Sequence, residues 1–361
     1  MLQKYEYFRV NQFYFCVHQN PFSLLWLSYF SRQSRCLDSL GVGRKVIIRA
    51  AKLLLLHRIR RRPVETTLEL PVYGDVCLSV HRGHKVFNVR NRLVTKILAR
   101  HIHRRRIIEE TKAVSQAGRL GFAPSIGIRC ADEYWYAEDY ICGKQAQFEV
   151  AADSAKLMSF YYRHVEQCIE EMAGLRRPTA AGVGKYARSI LKNLDTSELQ
   201  NRCFDSSKVA AIMDFARQMV EDLNAHENQA IPLIFSHGDF ALVNMLLTET
   251  GMRVIDWESA GYRSVLHDLH NFFLAQLYFR RASTPLVSEV CEATGSLLAK
   301  LATRIQHLPL RGASPEVYRK IFFIERLLTL LQRELDEKQV DMILRSVEVF
   351  REFDQMAHNQ H

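Results

Sequence analysis

Asp239, Asn244 and Asp256 stand in a stretch whose pattern can bring an amide and a carboxylate to one cation with a second carboxylate beside them. Asn244-Met245-Leu246-Leu247 and Met252-Arg253-Val254-Ile255-Asp256 read as β-strands around Thr248-Glu249-Thr250-Gly251, a hairpin with a glycine available for positive φ. Asn244 and Asp256 are symmetric about Thr250. They therefore fall at the open ends of two strands, which in a sheet run roughly 5 Å apart. A carboxylate and an amide oxygen suit magnesium, which also takes oxygens from nucleotide phosphates. Asp239 lies on the loop entering the hairpin and is free to orient and deprotonate an attacking hydroxyl. Each residue alone reads as a turn or cap residue. The ordered set points to catalysis, with His237 as a packing residue beside it.

With His237-Gly238-Asp239 before the hairpin and Asp256-Trp257-Glu258 closing it, the stretch resembles the aminoglycoside phosphotransferase and choline kinase superfamily. Ser259-Ala260-Gly261-Tyr262 and Asp268-Leu269-His270-Asn271-Phe272-Phe273 continue the likeness. The resemblance implies a protein-kinase-like fold and transfer of a phosphoryl group from ATP with Mg2+. It assigns Asp239 as the base, Asn244 and Asp256 as the magnesium ligands, and Asp268 as a buttress accepting backbone hydrogen bonds from the catalytic loop.

The same resemblance calls for a strand lysine reaching the nucleotide phosphates and a glutamate paired with it. Leu93-Val94-Thr95-Lys96-Ile97-Leu98 supplies the lysine among apolar neighbours, where an ammonium is costly without anionic partners. Glu110 is the preferred partner, because Val114 follows one turn later on the same inward face; Glu109 stays open. Tyr136 to Gly143 looks like the hinge between lobes, where backbone groups near Glu138 and Tyr140 would bind adenine. The phosphate-covering turn should lie near Val80-His81-Arg82-Gly83-His84-Lys85, which carries one glycine where protein kinases carry a glycine-rich run.

The elements around these residues divide the chain. Short β-favouring runs fill residues 68 to 98, a helix runs from Ile102 to Ala117, two more strands precede Gly143, and the remainder is mostly helical by pattern. Strands first and helices later give an α+β protein: a β-rich nucleotide lobe over residues 68–142 and a helical lobe with the catalytic loop and acceptor site over 143–361. Residues 1–67 form a basic, aromatic extension. Its segment 44–62 reads as a helix with one apolar and one cationic face, either packed on the following domain, the preferred reading, or in peripheral contact with a membrane.

With 49 Lys and Arg against 39 Asp and Glu, the net charge of +10 favours anionic partners. No nucleic-acid motif accompanies it. The apolar run Pro21–Phe30 is too short to span a bilayer and lacks a signal-peptide cleavage site, so a cytoplasmic protein is expected. Eight scattered cysteines without a C-x-x-C pair read as reduced thiols. The resemblance implies a hydroxyl of a small molecule or glycoconjugate as the expected acceptor, with a sugar slightly favoured. A cationic alcohol such as choline would need Trp257, Tyr262 or Glu325 to receive it. Two rival readings are a pseudokinase that only binds nucleotide, and a metal-dependent phosphohydrolase using His237, Asp239, Asp256 and His267.

Overall fold

The computed structural model describes residues 3–10, 13–17, 44–60, 66–80, 83–88, 91–98, 104–130, 134–150, 154–195, 204–277, 284–304, 313–331 and 336–359. The run Pro21–Phe30 and His81 and Arg82, where a phosphate-covering turn was expected, lie outside them. The chain forms two compact units, one of Met1–Glu149 with Val243–Glu258, the other of Val150–Leu242 with Ser259–His361.

The first unit is built on an antiparallel sheet. Its strands are β1 (Gln3–Val10), β2 (Phe13–Cys16), β3 (Thr66–Leu70), β4 (Val76–Val80), β5 (Gly83–Asn88), β6 (Leu93–Leu98), β7 (Ile126–Cys130) and β8 (Trp135–Asp139). They lie in the order β3-β1-β2-β4-β5-β6-β8-β7. Helices α1 (Arg44–Arg60) and α2 (Arg104–Ala117) belong to the same unit.

Side chains alternate across a strand, and here both faces are apolar. Phe8 and Val10 of β1, Phe13 and Phe15 of β2 and Val76 of β4 join Ile47, Ala50, Ala51 and Leu54 of α1 in one core. The intervening residues Tyr7, Cys16 and Cys77 build a second core with Leu70 and Val86. Each large apolar side chain buried this way contributes about 1.5–3 kcal/mol. Residues 3–16 and 44–60, expected as an extension, therefore supply two strands of the sheet and a helix packed on it. The inner face of α1 packs as the preferred sequence reading had it.

Four of the cysteines, Cys16, Cys77, Cys168 and Cys291, are free thiols, and burial pushes Cys77 up to about 12. Cys142 departs from the expected reduced state, being disulfide-bonded.

A smaller sheet completes this unit. Strand β9 (Lys144–Gln145) pairs with β12 (Met245–Thr248), which pairs with β13 (Gly251–Val254). A side chain at Gly143 would place its Cβ 2.9 Å from both the Leu246 Cβ and the Leu247 carbonyl oxygen, so the close approach of this segment to β12 requires glycine.

The second unit is mainly helical, which completes the expected α+β architecture. Ser154–Phe160 and Glu166–Gly174 are helical, joined by a π-helical turn at Tyr161–Val165. Then follow α3 (Val183–Asp195), α4 (Ser206–Asn224), α5 (His267–Leu277), α6 (Thr284–Arg304), α7 (Pro315–Leu331) and α8 (Glu337–His358). Strands β10 (Thr179–Gly182), β11 (Ala230–Ser236) and β14 (Gly261–Ser264) form its three-stranded sheet in the order β10-β11-β14. Helix α7 is buried along most of its length, from Val317 to Leu331. Asp336 starts α8 with a capping box to Gln339, satisfying end amides that would otherwise be orphaned.

Candidate active site

In the first unit, the hairpin centred on Thr250 forms as the residue pattern implied. Thr248 pairs with Gly251 and Met245 with Val254. The Thr248 hydroxyl accepts from the Thr250 amide at 3.2 Å and donates to the Gly251 carbonyl at 2.7 Å. Beyond the last ladder pair the Ile255 amide donates to the Asn244 carbonyl at 2.9 Å, so Asn244 and Asp256 flank the open end. Asp256 has φ of 70°, a left-handed conformation that Asp tolerates better than most residues. The fully buried Trp257 follows and donates its indole N–H to Val254 at 2.8 Å, fixing the chain where it leaves the strand.

Asp256 is the focus of two lysines. Lys85 Nζ lies 3.0 Å from both of its carboxylate oxygens, and Lys96 Nζ lies 2.9 Å from Oδ1. Lys85 and Lys96 are directly opposite each other on β5 and β6. Like charges in that position repel, so the pair is tolerable only around a shared anion. Burial opposes ionisation of Asp256, but Lys85 and Lys96 outweigh it and hold the carboxyl well below the ordinary range.

Lys96 is 3% exposed. Burial works against its charge, yet Asp256 and Glu138 outweigh that and raise it well above the usual lysine value. Glu138 Oε1 is 3.7 Å away, and the ring of Tyr136, the cross-strand neighbour of Lys96, lies 5.7 Å from Nζ.

The expected ion pair from Lys96 to Glu110 is replaced. Glu110 is buried and accepts from the Tyr136 hydroxyl at 2.8 Å, while Glu138 and Asp256 neutralise the lysine. Burial pushes Glu110 and Glu138 up, with Lys96 opposing in both. Glu109 is exposed on α2.

Glu138, read as lying beside the adenine contacts, belongs to β8, and Tyr140 directly follows that strand. Glu138 is paired within the sheet to Val94 and Ile126, and what it offers inward is its side chain. Tyr140 donates its amide to Arg92 at 2.8 Å and sets its ring edge-on against Phe87 in the core.

In the second unit, β11 delivers His237-Gly238-Asp239. Asp268, in the first turn of α5, accepts from the His237 amide at 2.7 Å and the Gly238 amide at 3.0 Å. His237 is fully buried, and its Nδ1 accepts from the Asp239 amide at 3.2 Å. Gly238 has φ of 79°, and a Cβ there would fall 2.4 Å from the Ser259 carbonyl oxygen. Gly238→Ala is therefore expected to cost about 1–3 kcal/mol and to displace the loop. Chemical denaturation, read beside ATP turnover, checks both effects.

The Asp239 carboxylate accepts from Arg326 Nη1 at 3.1 Å, and the same nitrogen reaches the Gly238 carbonyl at 3.4 Å. Nothing local in the sequence marks Arg326, which is 87 positions from Asp239. Only the packing of α7 brings it there. Lys85 is placed by register, as the residue on β5 directly opposite Lys96 on β6.

Glu325, the neighbour of Arg326, is spent on structure. Its carboxylate accepts from the Ser264 amide (2.7 Å), the Ser264 hydroxyl (3.0 Å) and the Tyr186 hydroxyl (2.7 Å), and lies 2.7 Å from His267 Nδ1. Burial raises its pKa, but His267, Tyr186 and Ser264 together hold it below the ordinary range. It is thus no receptor for a cationic acceptor. Trp257 is buried, and Tyr262 is exposed with its ring edge-on to Phe235. Glu325→Gln is expected to lower stability by about 2–4 kcal/mol at neutral pH. A carboxylate held low stabilises above its unfolded pKa and loses that contribution as pH falls through its folded value. The gap between wild type and Glu325→Gln should therefore narrow in acid, as urea unfolding at several pH values would record.

The two-metal hydrolase reading finds no support. His237 and His267 are fully buried and engaged, and among the described residues no group of three His, Cys, Asp or Glu could hold a metal. Asn244 with Asp256 is a sparser set. It suits magnesium, which keeps waters and phosphate oxygens in its shell and needs only one or two protein carboxylates.

Residues 161–303 match the model of the phosphotransferase enzyme family. That stretch holds His237, Asp239, Asn244, Asp256 and Asp268, the residues on which the sequence resemblance rests. No curated protein matches the sequence. A choline kinase from Cryptosporidium parvum is similar in structure at 13% identity, over 78% of this chain and 88% of that one, with a TM-score of 0.46. A choline/ethanolamine kinase family protein from Mesorhizobium loti is similar at 16% identity, over 80% and 89%, with a TM-score of 0.47. An ADP-bound aminoglycoside phosphotransferase is similar at 15% identity, over 76% and 93%, with a TM-score of 0.43.

Proposed function

We propose that this protein transfers the γ-phosphoryl group of ATP, with magnesium, to a hydroxyl of a small molecule or glycoconjugate, a sugar being the favoured acceptor. The observation that carries the reading is the pair Lys85 and Lys96, opposed on adjacent strands and sharing one carboxylate. Lys85 and Lys96 converge on the Asp256 carboxylate, with Glu138 beside Lys96, and nucleotide phosphates are anions that fit such a pair of ammonium groups. Asn244 and Asp256 would hold magnesium, which when bound neutralises charge on the transferring phosphate oxygens. Lys96, fixed by Glu138 and Asp256, grips phosphate, and Lys85 adds a second cation.

Asp239 orients the acceptor hydroxyl and takes its proton. Arg326 keeps that carboxylate aimed, and Asp268 holds the loop that carries it. A sugar acceptor is favoured over choline because Glu325, the acid among the residues offered for a quaternary amine, is engaged by Ser264, Tyr186 and His267. The cytoplasm supplies the ATP, and no helix among the described residues is long and apolar enough to cross a membrane. Purified protein with ATP, Mg2+ and a panel of sugars and amino-alcohols tests the reading. Turnover stimulated by a sugar and absent in Asp239→Ala is expected; equal turnover by both proteins contradicts it.

A further inference from the structure

We infer that the outward face of α1 seats this protein on an anionic lipid surface. The inference stands apart from the phosphotransfer reading. Residues on an α-helix advance about 100° each, so Ile48, Lys52, Leu55 and Ile59, spaced four, three and four apart, fall on one stripe. Ile48 is 44% exposed, Leu55 38% and Ile59 69%. The core uses a different face, made of Ile47, Ala50, Ala51 and Leu54. The helix therefore carries a second apolar stripe that the sheet does not cover, and a helix needing only one buried face has no structural use for it.

Charge selects the occupant. Residues 44–62 carry eight Arg and Lys (Arg44, Lys45, Arg49, Lys52, Arg58, Arg60, Arg61, Arg62) and no Asp or Glu. A second copy would set two such cationic segments against each other. Residues 18–43 offer Arg32 and Arg35 against Asp38, again a net positive charge. An anionic bilayer satisfies both features at once: isoleucine and leucine enter the headgroup–acyl boundary while lysine and arginine meet lipid phosphates. Lys52, in the stripe itself, has an aliphatic stem long enough to bring its ammonium to the headgroups.

The test is flotation of the full chain with phosphatidylcholine vesicles, alone or with about a third phosphatidylglycerol. Wild type is expected to float with the anionic vesicles, to stay below with the neutral ones, and to release as salt rises. Replacing the three apolar residues together (Ile48→Ser, Leu55→Ser, Ile59→Ser), or the charges (Arg49→Glu, Lys52→Glu), should lower bound protein about tenfold or more. Should the triple variant unfold, Ile59→Ser alone serves, since its side chain is the most exposed of the three. An adverse result is wild type failing to float with anionic vesicles, as it would if an acidic protein were the real partner. Flotation of the apolar variants at the wild-type level overturns the inference equally. ATP turnover on a soluble acceptor should be unchanged in every variant, because none of these residues belongs to the catalytic machinery.

Discussion

Asp239→Asn is expected to lower acceptor-dependent ATP turnover by about a hundred- to ten-thousandfold, the usual contribution of a positioned general base. Nucleotide binding should survive, because the groups proposed to hold the nucleotide are Lys85, Lys96 and the magnesium ligands Asn244 and Asp256. The substitution is nearly isosteric, and the amide oxygen can still accept from Arg326, so the loop held by Asp268 should keep its shape. Arg326→Ala removes the aim of the carboxylate without removing the carboxylate. A smaller loss in kcat is expected, partly restored by Arg326→Lys, which can reach Asp239 but not bridge it to Gly238 in the same way. Steady-state kinetics on the three variants separates a base from a loop staple. Full activity in Asp239→Asn contradicts the assigned chemistry.

Asp256→Asn should have the second large effect, and it should appear in binding as well as rate. The carboxylate is the one charge shared by Lys85 and Lys96, and it is one of the two ligands proposed for magnesium. Without it the opposed lysines repel, and magnesium loses its anionic ligand. Loss of magnesium-dependent ATP affinity by about a hundredfold or more is expected, with turnover undetectable. Stability should fall by about 1–3 kcal/mol, less than for a sealed ion pair because the Asp256 side chain is 27% exposed. The sign with pH follows from the depressed acid. The Asp256 contribution is present above the unfolded carboxylate pKa, about 3.9, and disappears as pH falls through its lower folded value. Wild type and variant should therefore converge in strong acid. Lys96, raised above its usual value, contributes in the opposite sense: fully below the unfolded lysine pKa, and lost as pH rises through the folded one.

The parts of this site that were legible in the sequence are those whose geometry is local. The hairpin could be read because Asn244 and Asp256 are equidistant from Thr250 and the strands between them are short and apolar. Lys96 could be read because an ammonium amid Val94, Ile97 and Leu98 demands an anion. What supplies that anion is long-range, and there the reading went astray. Helical periodicity correctly turned Glu110 inward, but the hydroxyl of Tyr136 claims it, and Glu138 takes the place beside the lysine. Pattern reading sees which face a residue occupies and misses which of several inward polar groups it meets.

The amino-terminal strands were missed for a related reason. In β1 and β2 the residues facing both cores are apolar or aromatic, so Tyr7 with Phe8, and Phe15 with Cys16, erase the polar alternation that marks a half-buried strand. Without that alternation the segment looked like an aromatic tail. Glu325 and Arg326 show the same limit at the other end of the chain. Two adjacent charged residues in a helix invite reading as a solvated pair, yet one knits Ser264, Tyr186 and His267 together and the other meets Asp239.

Calorimetric titration of ATP into the wild-type chain and into the Asn244→Ala, Asp256→Asn double variant, each with Mg2+ and with EDTA, bears most directly on the phosphotransferase assignment. It needs no knowledge of the acceptor. ATP binding that is strong with magnesium, weak in EDTA, and weak under both conditions in the double variant is the predicted outcome. Wild-type binding indifferent to magnesium, or magnesium-dependent binding that survives in the double variant, would show that the ends of the Thr250 hairpin hold no metal and that the assignment is wrong.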